Sequence, residues 1–138
     1  MKIIKFLIPA IILLYPLSLN AQPPDKSTQS TTQKITVSLD VPSSGYSIKI
    51  KDVYETPKET LVLAVIQPPD PKMMVLTMID TIRDSVYVEK ITGKIKVFIT
   101  GKNWNWDNTG GYIFINNQNE FYNETKNAKP LSIQSVTP

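Results

Sequence analysis

The sequence predicts an all-β protein, a small antiparallel β sandwich or barrel of about six to eight strands that follows a signal peptide. Three observations lead to this expectation. Apolar and polar residues alternate with a period of two in several short segments. Turn-forming clusters of Pro, Gly, Ser and Asp separate these segments roughly every ten residues, and no long helical pattern is found.

The first 21 residues have the layout of a secretory signal peptide. Lys2 and Lys5 precede an apolar run over 6–19 that is shorter than the ~20 residues of a transmembrane helix, and small Ala21 fits the cleavage position. Cleavage after Ala21 removes two of the 15 basic residues and none of the 12 acidic ones, so the net charge falls from +3 to +1. We expect a secreted or periplasmic protein that meets the membrane only transiently, during export, and no nucleic-acid partner.

The rest of the chain divides by composition. Residues 22–33 carry two prolines and no large apolar side chain, which predicts a disordered linker. A β domain is expected over 34–116. Residues 117–138 form a polar tail that offers one final short strand at Leu131, Ile133 and Val136.

The first three strands have clear signals. Lys34–Val41 alternates strictly and predicts a half-buried strand, which Pro42–Gly45 ends in a turn. Tyr46–Lys51 alternates again, with a basic outer face. Leu61–Ile66 is apolar on both faces, as a central strand covered on both sides would be.

The later elements follow the proline-containing segment that ends at Pro71. Met73–Ile79 is the one segment where helix and strand compete, and its short length and β-branched residues favour a strand. Ser85–Ile91 and Lys94–Thr100 predict two more strands, and Tyr112–Ile115 an edge strand.

A simple up-and-down order makes a geometric prediction. Successive connections would then alternate between the two ends of the fold. The turns at Pro42–Gly45, Gln67–Pro71 and Thr92–Gly93 would share one end, and Gly101–Gly111 would lie at the other.

The composition excludes several kinds of chemistry. The chain has no cysteine and no histidine, so disulfides, thiolate nucleophiles and the usual general base at neutral pH are all missing. The aspartates of the predicted loops, Asp70 among them, have no spacing that fixes a catalytic pair, and we interpret them as turn formers. We expect no catalytic residue, no metal site and no cofactor.

Trp104 and Trp106 are two residues apart in a polar segment. In an extended chain their rings would face the same way and form an aromatic platform for a sugar or a peptide. The competing interpretation, which we favour, is that one or both close an open end of the sandwich.

The order of segments from Thr36 to Thr100 resembles the C-terminal domain family of PrcB, an accessory subunit of a bacterial surface protease complex. Ser44-Gly45-Tyr46 opens a strand where that family has a Gly-Gly-Tyr-type turn, and a proline-containing loop precedes the closing strands. Ser44 departs from the glycine that the family prefers. The turn is also similar to the Thr-Thr-Gly-Tyr loop of chagasin-type cysteine-protease inhibitors, which are β sandwiches.

These resemblances imply a protein-binding module that contacts a protease and either stabilises or inhibits it. The implied contact residues lie in two loops: Ser43, Ser44, Gly45, Tyr46, Pro68, Pro69 and Asp70. For Tyr46 alone, a core position is the favoured interpretation. The alternative function is a glycan- or peptide-binding surface module that uses Trp104 and Trp106. The sequence does not indicate the partner's identity or the oligomeric state.

Overall fold

The computed structural model describes residues 31–136. The predicted signal peptide and most of the predicted linker lie outside these residues. The described chain forms eight strands and one short helix: β1 Gln33–Val41, β2 Ser47–Glu55, β3 Glu59–Gln67, β4 Asp80–Val88, β5 Lys94–Thr100, β6 Ile113–Phe114, α1 Gln118–Glu124, β7 Lys129–Leu131 and β8 Gln134–Ser135. The predicted all-β class and strand number are confirmed.

The strands form two sheets that pack face to face. One sheet has three strands in the order β1-β4-β8, and the other has five in the order β6-β5-β3-β2-β7. In β1 every second residue from Ile35 to Val41 is buried, because the pleat turns alternate side chains towards the core. The core between the sheets is made of aliphatic side chains: Ile35, Val37, Leu39, Val41, Ile48, Ile50, Val53, Val62, Ala64, Ile66, Ile82, Val86, Val88, Val97 and Ile99.

The predicted antiparallel arrangement is wrong for the five-stranded sheet, which contains both parallel and antiparallel pairs. β2 runs antiparallel to β3, whereas β5 runs parallel to β3 and β6 parallel to β5. The reason is the position of β4, which pairs with β1 in the opposite sheet. Because the chain crosses to the other sheet and back between β3 and β5, it returns to the first sheet in its original direction.

The central strand β3 is buried on both faces, as predicted. Val62, Ala64 and Ile66 face the other sheet, while Leu61 and Leu63 face outwards under α1. Phe121 of α1 is fully buried against this outer face. Its ring packs edge-on against that of Phe98 on β5, with the ring centres 5.4 Å apart.

The polar segment after residue 116 contains a capped helix, which the sequence analysis did not anticipate. The Asn117 side chain accepts a hydrogen bond from the Glu120 backbone N–H, and the Glu120 carboxylate accepts one from the Asn116 N–H. The first bond satisfies one of the backbone donors that a helix start leaves free, and the second ties the residue before the cap to the first turn. After α1, β7 pairs with β2 and β8 with β4, so the end of the described chain joins both sheets.

Side chains cover the sheet edges on both sides of the sandwich. On one side, the Asp84 carboxylate accepts hydrogen bonds from the Ile50 N–H of one sheet and the Ser85 N–H of the other. On the opposite side, the Tyr112 hydroxyl bonds to both backbone groups of Ser38 on the edge strand β1. The Asn108 side-chain amide donates to the backbone carbonyl of Asp40 two residues further along.

Candidate functional site

Three loops meet at one end of the sandwich, and we refer to this end as the loop face. They are loop 1–2 (42–46), loop 3–4 (68–79) and loop 5–6 (101–112). β1, β3 and β5 all run towards this end, because β2 and β4 are antiparallel to β3 and β1, and β5 is parallel to β3. The loops that leave these three strands are therefore brought together.

This arrangement corrects the predicted distribution of turns. Met73–Ile79 is neither strand nor helix but part of loop 3–4, and the next strand begins at Asp80 rather than Ser85. Removing one strand from the expected order shifts every later connection to the other end. Gly101–Gly111 therefore joins Pro42–Gly45, while Thr92–Gly93 lies at the far end beside Lys58 and Thr60.

Loop 1–2 and loop 3–4 are bonded to each other. The Ser44 N–H donates to the Leu76 carbonyl at 3.1 Å, and the Leu76 N–H donates to the Ser44 hydroxyl at 2.8 Å. Gly45 has a φ of +89°, and a β-carbon there would lie 2.7 Å from Cβ of Pro69 and 3.1 Å from a methyl of Val75. Only glycine allows this backbone shape together with this close approach.

Loop 3–4 exposes an unusual number of large apolar side chains. All seven residues from 73 to 79 are exposed, and six of them are large apolar residues: Met73, Met74, Val75, Leu76, Met78 and Ile79. Leu76 is 67% exposed and Met74 completely so, whereas Val75, which faces Gly45, is the least exposed at 37%. A continuous apolar patch of this kind on a small domain usually marks a contact surface.

An aromatic cluster of Tyr46, Trp104 and Trp106 adjoins loop 1–2. The Tyr46 ring packs edge-on against Trp104 at 5.6 Å, and its hydroxyl donates to the Asn103 side chain at 2.7 Å. The indole N–H of Trp104 donates to Asn108, and its ring packs against the core. Trp104 therefore closes the end of the sandwich, which is the role that the sequence analysis favoured for this pair.

Trp106 sits beside this cap. Its ring centre is 5.6 Å from that of Trp104, and the two ring planes are inclined by 35°. Both tryptophans are half-buried. The pair is thus adjacent but not coplanar, and the two rings form an angled surface rather than the flat platform that an extended segment predicts.

The predicted contact residues lie together on the loop face. Ser44 and Gly45 hold loop 3–4, and Pro69 is the proline that Gly45 contacts. Asp70 closes a turn, since its carbonyl accepts from the Met73 N–H and its carboxylate from the Lys72 N–H. The remaining residues of the set are Ser43 and Tyr46, which are half-buried, and Pro68, which is exposed.

The exposed apolar side chains of loop 3–4 were not predicted as a contact surface, because their sequence predicts a strand over Met73–Ile79. A usable signal was present in the next segment. The pattern of apolar residues there fits a period of two, with Ile82, Val86 and Val88 on one face, and this predicts a strand over 80–88. No turn residue separates such a strand from Ile79, so a second strand over 73–79 has no connection to it.

Residues 31–136 contain no group of three or more acidic side chains placed to hold a metal ion. Within the same part of the chain, no helix is long and apolar enough to span a membrane. One tyrosine has an altered acidity: Tyr122 donates to the Asp52 carboxylate at 2.6 Å, which together with burial raises its pKa to about 12. This pair anchors α1 and lies away from the loop face.

Comparison with protein-family models, with curated proteins and with solved structures found no match.

Proposed function

We propose that this protein is a secreted or periplasmic, non-catalytic binding module that holds a protein partner, a protease, against its loop face. The exposed apolar side chains of loop 3–4 are the observation that carries this proposal. Water contact of so many apolar groups is unfavourable, and burial against a partner returns about 25 cal/mol for each Å² covered.

The way loop 3–4 is held supports a contact role. The Ser44–Leu76 hydrogen bonds and the Gly45–Pro69 contact fix the loop before any partner arrives. Three prolines, at positions 68, 69 and 71, further restrict its backbone. A loop that is ordered in advance loses little conformational entropy on binding, so more of the apolar contact appears as affinity.

The choice of a protease as the partner rests on the resemblance of residues 36–100 to the PrcB C-terminal domain family. The residues that carry this resemblance, Ser44, Gly45 and Tyr46, are the residues that link loop 3–4 to the aromatic cluster. A change in loop 1–2 is therefore expected to disturb both of its neighbours.

The test is co-purification of protease activity with the exported protein from its native cell envelope. Combined Met74→Ser, Leu76→Ser and Met78→Ser substitutions should reduce the co-purified activity at least tenfold, because the apolar contact is removed. Ile95→Ser is the matched control, since Ile95 is 43% exposed but lies on β5, outside the loop face. Undiminished activity with the triple variant would contradict the proposal.

Export has its own measurement. The intact mass of the protein from the envelope or medium should correspond to a chain that begins at Gln22, as cleavage after Ala21 requires. A chain that retains Met1 would contradict the proposed signal peptide and leave the binding proposal standing.

A second candidate is a glycan- or peptide-binding module that uses Trp104 and Trp106. The adjacency of the two rings favours it, because neighbouring indoles offer a large apolar surface to a sugar ring. Trp106→Ala is the informative variant, since Trp104 also caps the core. Retention on cell-envelope polysaccharide that is lost with Trp106→Ala, with protease binding unaffected by the loop 3–4 triple variant, would favour this candidate.

A further inference from the structure

A cavity of about 320 Å³ lies on the outer face of the five-stranded sheet, beside the start of α1. Its lining residues come from β2, β3 and α1: Lys49, Lys51, Val65, Gln67 and Gln118. Val65 continues the row of outward-facing β3 residues that α1 covers at Leu61 and Leu63. Lys49 pairs with Val65 in the register of the two strands, so both side chains lie on this face.

Neither lysine of this cavity has a carboxylate partner. Within residues 31–136 the structure shows one ion pair, that of Lys90 with Glu55, and it lies at the opposite end of the sandwich from the loop face. Two acidic side chains are close in sequence to the cavity, but both are engaged elsewhere. The Asp52 carboxylate accepts from the Tyr122 hydroxyl, and the Glu120 carboxylate accepts from a backbone N–H. The cavity is therefore positively charged.

The cavity also has many hydrogen-bond donors and few acceptors. An ammonium group has three donors. Lys51 donates to the Gln118 side-chain oxygen at 2.5 Å, whereas the Lys49 ammonium has no partner among residues 31–136. In the same part of the chain, the amide nitrogen of Gln118 and the whole side-chain amide of Gln67 make no hydrogen bond. A ligand that complements this cavity is negatively charged and rich in acceptors.

We propose that this cavity binds an acidic sugar, a single sugar ring that carries a carboxylate. The carboxylate lies between Lys49 and Lys51, and each ammonium gives it a charge-assisted hydrogen bond. The ring hydroxyls bond to the amides of Gln67 and Gln118, because an amide offers both donors and an acceptor. Val65 and the aliphatic parts of the lysines contact the C–H groups of the ring. The cavity is at the lower end of the ~300–1,000 Å³ range of ligand sites, which suits one ring.

Such a ring has two sources, the free acid and one unit of an anionic polysaccharide. Three of the lining residues, Lys49, Lys51 and Gln67, are exposed, so the cavity is open enough for neighbouring units of a polysaccharide to extend beyond it. The binding of this sugar goes beyond the proposed protease binding and does not depend on it. Neither the apolar side chains of loop 3–4 nor the two tryptophans line the cavity.

We expect weak, salt-dependent binding. Exposed charge pairs contribute little and are screened by salt, so the dissociation constant for one free ring should be on the order of 1 mM. An increase in salt from about 20 to 300 mM should weaken binding several-fold, because the Debye length falls below the size of the cavity.

Titration of the full exported protein with glucuronate, followed by NMR, tests the site. The backbone amide signals that move should be those of residues 49–51, 65–67 and 118. Lys49→Gln should weaken binding at least fivefold, because it removes a charge that has no other partner among residues 31–136. Lys94→Gln is the matched control, since Lys94 is an exposed lysine of β5 outside the cavity. It should leave the affinity within about twofold of wild type.

Three further ligands identify the chemistry and its source. Glucose, which lacks the carboxylate, should bind at least tenfold more weakly than glucuronate. An oligosaccharide of galacturonate that moves the same signals would assign the polysaccharide as the source, and a response to the free acid alone would assign the free sugar. Equal binding of glucose and glucuronate, tighter binding of inorganic phosphate, or equal losses with Lys49→Gln and Lys94→Gln would overturn the site. None of these results bears on the capture of a protease by loop 3–4.

Discussion

Loop 3–4 and the helix α1 reverse what their compositions suggest. Within residues 31–136, loop 3–4 contains the most apolar stretch outside the strands, MMVLTMI, and all seven of these residues are exposed. The segment around α1, NNQNEFYNET, is polar, and yet it buries Phe121 completely and Thr125 almost completely. Loop 3–4 is thus apolar but exposed, whereas the segment around α1 is polar but contains buried side chains.

The difference shows that topology decides which apolar groups are buried. Loop 3–4 crosses from one sheet to the other at an end of the sandwich, where no layer of the fold lies above it. α1 lies over the outer face of β3 and β5, where Leu61, Leu63 and Phe98 need a cover. One aromatic residue in the right place does more for stability than six apolar residues at the edge.

The largest expected effect on stability comes from a substitution in α1. Phe121→Ala should lower the free energy of unfolding by about 3–5 kcal/mol, because it removes a buried ring and leaves a cavity against Phe98 and Tyr54. Chemical denaturation measures it. Leu76→Ala in loop 3–4 is the matched control and should change stability by less than about 0.5 kcal/mol. Equal losses would mean that loop 3–4 is part of the core.

Gly45→Ala tests how loop 3–4 is held. We expect a loss of about 2 kcal/mol, because alanine is strained at a φ of +89° and its methyl would press on Pro69. Gly111→Ala separates the two causes. Gly111 also has a positive φ, +71°, but a β-carbon there meets nothing within 4 Å, so only the backbone strain remains. The thermal midpoint should fall further for Gly45→Ala, and a reversed order would exclude the contact with Pro69 as the cause.

Tyr122→Phe gives a smaller effect that depends on pH. The hydrogen bond to Asp52 should contribute about 1 kcal/mol. The bond stabilises the protonated tyrosine, whose pKa rises from 10.0 to about 12 in the folded protein. Its contribution is therefore complete below pH 10 and is lost as the pH rises towards 12. The difference in unfolding free energy between wild type and variant should be constant from pH 6 to about 9 and then shrink; a difference that grows above pH 10 would contradict this assignment.

The smallest effect on stability is expected from oxidation of loop 3–4. Met73, Met74 and Met78 are the methionines of residues 31–136, and all three are exposed. Mild peroxide should convert them to polar sulfoxides and leave the thermal midpoint within about 2 °C, since nothing buried changes. Partner capture should weaken on oxidation and recover with methionine sulfoxide reductase. A large fall in the thermal midpoint would mean that these side chains support the fold.

Periodicity and apolar content were enough to predict three of the strands. β1 and β5 follow from alternating residues, and β3 from apolar residues on both faces. The parallel pairing of β5 with β3 could not be predicted in the same way. It depends on β4 joining the other sheet, and the outward-facing residues of β4, such as Arg83, do not record which sheet the strand enters.

The candidate site was predictable in part. The turn at Ser43–Tyr46 and the prolines of loop 3–4 were identified from turn chemistry, and the structure brings them together. The exposure of Met74, Leu76 and Met78 was not, because a short apolar segment has the same pattern in a half-buried strand and in an exposed loop.

The side chains that cover the edge of β1 bear on the tendency of this protein to aggregate at high concentration. β1 is a regular edge of nine residues with four buried apolar side chains, the kind of strand on which fibrillar aggregates grow. Side chains, rather than a ninth strand, block it: the Tyr112 hydroxyl and the Asn108 amide. Loss of either group would free backbone groups of β1 for pairing with another chain. Resistance to aggregation therefore depends on two polar atoms of loop 5–6 as well as on the stability of the core.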